Sequence, residues 1–171
     1  MNKNAEVWVK ALKSGKYIQA TGSLSKIETT DPEDKTITVT SFCCLGVACD
    51  LFNRSLISKG YPSMWKENYS TEDDGSKRIP FLDYDGSVQE SVLPKEVARW
   101  LGLASQSGTY FSGTIKNLIE GEGSLLDLND GGIEFKEIAD FISSEPEGLF
   151  EEIPELYNDE EYLKRLSEVS V

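Results

Sequence analysis

Lys35-Thr36-Ile37-Thr38-Val39-Thr40-Ser41-Phe42-Cys43-Cys44-Leu45-Gly46-Val47-Ala48-Cys49-Asp50-Leu51-Phe52 changes its period in the middle. Up to Ser41 it alternates. Ile37 and Val39 fall on one face and Thr36, Thr38 and Thr40 on the other, the two-residue period of a strand. From Cys43 the apolar residues recur at three and four. Cys44, Val47, Ala48 and Leu51 line one face of a buried helix that reads as ending near Phe52, with Ser41 as its expected N-cap. Gly46 inside that helix costs about 1 kcal/mol against alanine, so its expected use is to let another backbone come close.

A strand also precedes this stretch. Ser23–Glu28 reads as extended, and Asp31-Pro32-Glu33-Asp34 between the two runs is turn chemistry, so the pattern predicts a hairpin. Further out, Ala5 to Ser14 reads as a helix with Trp8, Ala11 and Leu12 on one face, Asn4 as cap and Gly15 as the C-terminal glycine. Tyr17–Ala20 reads as a short strand with Tyr17 and Gln19 on one side. Residues 53–77 are the least regular.

Arg78–Leu82 and Ser87–Val92 flank Asp83-Tyr84-Asp85-Gly86, a second hairpin signal. Pro94 opens a short helix that Gly102 stops. Ser107–Phe111 reads as another strand and Thr114–Ile119 as a helical turn. Phe135, Ile138, Ala139 and Ile142 make the face of a helix over Glu134–Ser143. Asp159 is the expected cap of a last amphipathic helix carrying Tyr162, Leu163 and Leu166. Strands in hairpins with isolated helices, and no βαβ regularity, predict an α+β fold: one mainly antiparallel sheet with four or five helices packed on it. The expected layout is a core domain over 1–144 and an acidic helical extension over 145–171.

The 171 residues suit a single domain able to bury a core without disulfides or metals. The longest apolar run, Phe42 to Ala48, is far short of the ~20 residues that span a bilayer. Met1 to Glu6 has no apolar signal region. The expectation is a cytoplasmic protein without membrane contact. Cys43, Cys44 and Cys49 are odd in number and clustered, and read as free thiols.

Histidine is absent altogether, which removes the commonest general base and the commonest metal ligand. No cofactor signature occurs: Ser14-Gly15-Lys16 ends a helix, whereas a phosphate loop begins one. Asp127 to Gly132 fails as a calcium loop, because position 12 would be Ile138 where a glutamate is required. Its structural reading is a turn in which Asn129 or Asp130 caps the following helix. Asp83 and Asp85 read as exposed turn chemistry, and Glu134 and Glu137 as a solvated helix face.

The net charge is −13 and unevenly spread. Residues 1–60 hold 8 basic and 6 acidic side chains, and residues 61–171 hold 9 and 24. Direct binding to nucleic acid is disfavoured, since phosphate contact needs clustered cations. A small anionic molecule or a host protein remains as partner, and self-association is compatible with the sequence. The best-placed polar site combines Lys16, Tyr17 and Gln19 with Asn129 and Asp130, where the first strand would meet the Asn129-Asp130 turn. The competing reading gives Gln19 a neighbouring strand and Asn129 a cap.

Three motifs occur in order. They are Trp8-x-x-Ala11-Leu12-x-Ser14-Gly15-x-Tyr17-x-Gln19, then Phe42-Cys43-Cys44-Leu45-Gly46-Val47, then Leu128-Asn129-Asp130-x-Gly132-x-x-Phe135-x-x-Ile138-Ala139-Asp140. Together they resemble a family of small, mostly hypothetical phage and bacterial proteins, over about residues 5–144. The resemblance carries no catalytic residues to transfer. It implies a phage-type accessory or counter-defence protein acting by binding, which sequesters a small nucleotide-like signal or blocks a host protein. Two alternatives stand beside it: a small hydrolase or transferase using Cys43 or Cys44, and an acidic nucleic-acid mimic.

Overall fold

A computed structural model describes residues 1–30, 37–67, 70–73, 75–83, 85–112, 121–151 and 164. The first helix, α1, spans Lys3–Leu12 and starts earlier than its periodicity suggests. Asn2, not Asn4, is the cap: its Oδ1 accepts the Ala5 N–H at 2.9 Å, while Asn4 Nδ2 donates to Trp100 O at 2.9 Å. Two asparagines two residues apart are equivalent as local caps, and only tertiary packing tells them apart. Trp8 is fully buried and its Nε1 donates to Cys44 O at 2.8 Å.

The strand expected at Tyr17–Ala20 is reduced to one parallel bridge between Gln19 and Phe42. Phe42 N–H donates to Ile18 O at 2.9 Å and Ala20 N–H to Phe42 O at 2.8 Å. The expected hairpin forms from β1 (Ser25–Thr30) and β2 (Ile37–Phe42), in unbroken register from Ser25↔Phe42 to Thr30↔Ile37. Its turn at Asp31–Asp34 lies outside the described residues.

α2 spans Cys44–Ser58 and so runs past Phe52 into the stretch that looks irregular. Asn53 and Ser55 weaken the local helix signal, but buried Leu56 continues the apolar face. Cys43 rather than Ser41 is the N-cap, with Sγ accepting the Gly46 N–H at 3.3 Å. Ser41 still belongs to β2. Gly46 does serve close approach: a Cβ there would lie 1.6 Å from the Leu24 carbonyl oxygen.

The expected strand Arg78–Leu82 is divided. β3 (Ser70–Thr71) and β4 (Lys77–Arg78) extend the first sheet in the order β2-β1-β4-β3, whereas β5 (Phe81–Leu82) pairs with β6 (Val88–Gln89) in another. Pro80 between them has no N–H for a ladder. α3 (Lys95–Leu101) ends at Gly102, whose φ of +72° favours glycine. β7 (Thr109–Ser112) pairs with β8 (Gly121–Ser124), and the helical turn expected at Thr114–Ile119 lies outside the described residues. α4 (Leu125–Asp130) and α5 (Phe135–Ser143) follow.

The chain is thus a single α+β domain with five helices among the described residues. Among the described residues its strand pairs are antiparallel and are divided among three sheets. One core joins Trp8, the three cysteines, Phe52, Trp100, Tyr110 and Ile138. It continues past the boundary expected at residue 144. Leu149 is fully buried, Phe150 bridges to Leu103, and Glu151 N–H donates to Gly102 O at 3.0 Å. The extra contacts carry the chain back over α3, which local composition does not reveal. The last helix expected around Tyr162, Leu163 and Leu166 lies outside the described residues. No described helix is long and apolar enough to cross a membrane.

Candidate functional site

The five residues expected to share a polar site fall into two groups. Gln19, Asn129 and Asp130 come together; Lys16 and Tyr17 line a different groove.

The first group holds the fold. Asn129 is fully buried, and its amide accounts for both of its polar atoms. Oδ1 accepts from Cys44 N at 3.0 Å and from Gln19 Nε2 at 3.2 Å, while Nδ2 donates to Ala20 O at 2.8 Å and lies 3.3 Å from Asp130 Oδ1. Gln19 also donates to Ile133 O at 2.8 Å and accepts the Phe135 N–H at 3.1 Å. Asp130 Oδ1 accepts the Gly22 N–H at 2.9 Å.

Cys44 and Phe135 are the first residues of α2 and α5, whose N-terminal amides need acceptors. Asn129 and Gln19 therefore cap helices from across the molecule. The cap expected from Asn129 or Asp130 on the following helix is instead supplied by Gln19. Asp83 repeats the arrangement: it is buried, not exposed turn chemistry, and its Oδ2 accepts the Lys95 N–H that opens α3 at 3.2 Å. Asp85 does make its turn, accepting the Ser87 N–H at 2.9 Å.

The three thiols are fully buried in the same region. Cys44 Sγ donates to Leu125 O at 3.4 Å. Burial pushes the Cys43 thiol up to about 12 and those of Cys44 and Cys49 well above the ordinary thiol value. A nucleophile needs the thiolate and access to substrate. These sulfurs sit as core atoms with neither.

The second group builds a groove of about 410 Å³ between α1 and α2. Val7, Lys10 and Ala11 line it at the i, i+3, i+4 spacing of one face of α1, with Ser14 in the turn just past its end, opposite Leu51 and Arg54 of α2. Lys16, Tyr17 and Phe42 complete the wall. Lys10, Lys16 and Arg54 are exposed cations, and no carboxylate lines the groove. Neither Lys10 nor Lys16 has an ion-pair partner among the described residues, whereas Lys13 on the far side of the turn is spent on Asp140 at 2.6 Å.

Asp50 lies behind the wall and orders it. Its Oδ2 accepts the Tyr17 hydroxyl at 2.7 Å and Arg54 Nε at 2.8 Å. Burial, then the bond to Asp50, pushes the Tyr17 phenol up to about 12. With its hydroxyl committed, Tyr17 offers the groove its ring. That ring meets Phe42 edge-on at 5.5 Å, and the Arg54 guanidinium sits 6.0 Å from its centroid. Phe42 leans in turn on Trp65 at 6.1 Å. The wall is braced down to the core.

Sequence reasoning found Lys16 and Tyr17 and missed Lys10, Asp50 and Arg54. The signals existed: Lys10 sits on the helix face beside the one Trp8 and Leu12 bury, and Asp50-x-x-x-Arg54 has ion-pair spacing. What was missing is the pairing of α1 with α2. Among the described residues no cluster of three or more histidine, cysteine or acidic side chains could hold a metal ion. Chemically, the groove combines two lysines and an Asp50-held arginine with an edge-to-face aromatic wall.

No curated protein and no solved structure matches the chain. A family model described as Domain of unknown function (DUF8296) matches residues 1–146, and the chain belongs to that family.

Proposed function

We propose that the protein works by binding, and that the groove between α1 and α2 takes a small anionic, nucleotide-like molecule. The observation that carries this is the charge of the lining. Lys10 and Lys16, neither with an ion-pair partner among the described residues, stand with Arg54, which Asp50 holds from behind, around an aromatic wall in a chain of net charge −13. Close to a site, local charges set the field, because bulk charge is screened within about 8 Å at physiological salt. The groove volume falls within the roughly 300–1,000 Å³ of small-molecule sites. Lys10, Lys16 and Arg54 are suited to a phosphate or other anion, and Tyr17 and Phe42 to a planar ring. In the phage setting that the three motifs imply, capture of such a molecule in the host cytoplasm is a counter-defence: a signal held in the groove no longer reaches its receptor. The cysteine-dependent enzyme is disfavoured by burial of all its nucleophiles.

The experiment is mass spectrometry of small molecules released by denaturing the protein purified from cells that express it. An anionic compound recovered from the parent, and not from a Lys16→Glu, Arg54→Glu double variant, supports sequestration. Recovery of a host protein in its place moves the reading to blockade.

A further inference from the structure

Among the described residues, the outer edge of β2 carries backbone groups without partners, and we infer that this edge pairs with the same edge of a second copy of the chain. Parity shows which groups point outward. Phe42 spends its N–H on Ile18 and its C=O on Ala20, both on the side away from β1, while the Cys43 N–H turns inward to Leu24 O at 3.2 Å. Backbone groups of a strand alternate between its two sides. Thr40 and Thr38 therefore also point away from β1, and no hydrogen bond engages their N–H or C=O groups. The Ile18–Ala20 segment covers the edge at Phe42 and stops there, which leaves a short open stretch centred on Val39.

This edge lacks the devices by which sheets refuse partners. Ile37-Thr38-Val39-Thr40-Ser41-Phe42 has no lysine and no proline, and its register with β1 has no bulge. Ile37 is 48% exposed, and Thr38 and Thr40 are exposed as well. Its β-branched residues suit strand pairing.

A second copy fits better than a foreign strand for two reasons. An antiparallel pair with its two-fold axis at Val39 sets Thr38 of each copy opposite Thr40 of the other, so each pair exchanges both N–H···O=C bonds. Copies that each carry a charge of −13 repel, and β2 is an uncharged strip along which they can approach. So short an edge buries well under the roughly 1,200 Å² of a stable interface, so the dimer is weak and concentration-dependent. It also tightens with salt, which screens the repulsion. The inference does not depend on the groove.

Sedimentation velocity of the full chain from about 5 to 500 μM tests it, with Thr38→Pro and Val39→Lys alongside. Proline at position 38 removes an outward N–H and leaves the β1 ladder intact, and lysine at position 39 places two cations on the axis. The expected result is parent self-association that strengthens between about 0.05 and 0.5 M salt and weakens at least about ten-fold in each variant, with melting temperatures unchanged. If Thr38→Pro unfolds, Val39→Lys decides alone. A parent that stays monomeric throughout, or a dimer that Val39→Lys leaves intact, overturns the inference.

Discussion

Asn129 Oδ1 accepts the N–H of Cys44 at 3.0 Å, so a side chain 85 residues away caps the central helix. The same carboxamide ties down Gln19 and the Ala20 carbonyl. Truncation leaves several buried groups unpaired at once, each worth about 1–3 kcal/mol. Asn129→Ala should lower unfolding free energy by about 2–4 kcal/mol and Gln19→Ala by about 1–2 kcal/mol. Urea denaturation checks both. A change under about 0.5 kcal/mol in Asn129→Ala, the size of an ordinary surface substitution, would remove the structural role.

Gly46 is the position where the fold tolerates no Cβ. The obstructing atom is a backbone oxygen, that of Leu24, which cannot rotate away as a side chain would. Gly46→Ala should cost about 3 kcal/mol or more, despite the gain of about 1 kcal/mol in helix propensity. Thermal melts of this variant beside Ala48→Gly separate the two effects: the first should lose more than the second.

The thiols should behave as core atoms. At neutral pH the native protein should react slowly with a thiol reagent, and all 3 cysteines should react rapidly once urea is added. Rapid labelling of any one of them in the native state would contradict their burial.

Stability should fall at alkaline pH. The Cys43 thiol is pushed from 9.0 to about 12 and the Tyr17 phenol from 10.0 to about 12. A group whose folded pKa is raised contributes stability that is whole below its unfolded value and is lost as pH climbs toward the folded one. The urea midpoint should therefore begin to drop near pH 9 and continue to drop through pH 11. Tyr17→Phe should reduce only the part of the decline above pH 10. A midpoint that is flat or rising from pH 9 to 11 would show that neither group is shifted.

The helices were legible because their apolar faces are local: Trp8 with Leu12, Cys44 with Val47 and Ala48, Phe135 with Ile138 and Ile142. The close approach at Gly46 was legible for a similar reason, since a glycine inside a helix asks for an explanation. The caps were not. Asn129 and Gln19 each serve a helix far from them in sequence, and Asp83 one beyond its own hairpin; a short polar side chain next to a turn looks the same whether it caps locally or at a distance. The groove was half legible. Lys16 and Tyr17 stand out beside Trp8, but Lys10 and Arg54 join them only once α1 lies against α2. Pro80 was the overlooked sign that Arg78 and Phe81 belong to different sheets.

The end of the core is a further test. A chain ending at Glu151 keeps buried Leu149 and the bridge from Phe150 to Leu103, while one ending at Ser144 loses both, along with Gly148, which lies against the Phe111 ring. Loss of a buried leucine and its neighbours costs about 2–5 kcal/mol. The shorter chain should melt well below the longer one. Equal melting temperatures would place the boundary at residue 144 after all.

The groove itself is tested most directly by isothermal titration of the purified protein with ribonucleoside 5′-monophosphates and cyclic dinucleotides of adenine and guanine, at low and at physiological salt. Saturable binding of at least one of them is expected, weaker at higher salt. Lys10→Ala, Lys16→Ala and Arg54→Ala should each weaken it by about ten-fold, the loss of one charge-assisted contact, while the melting temperatures of the two lysine variants stay within a degree or two of the parent. Binding that none of the three substitutions alters, or no binding by any member of the panel at millimolar concentration, would contradict it.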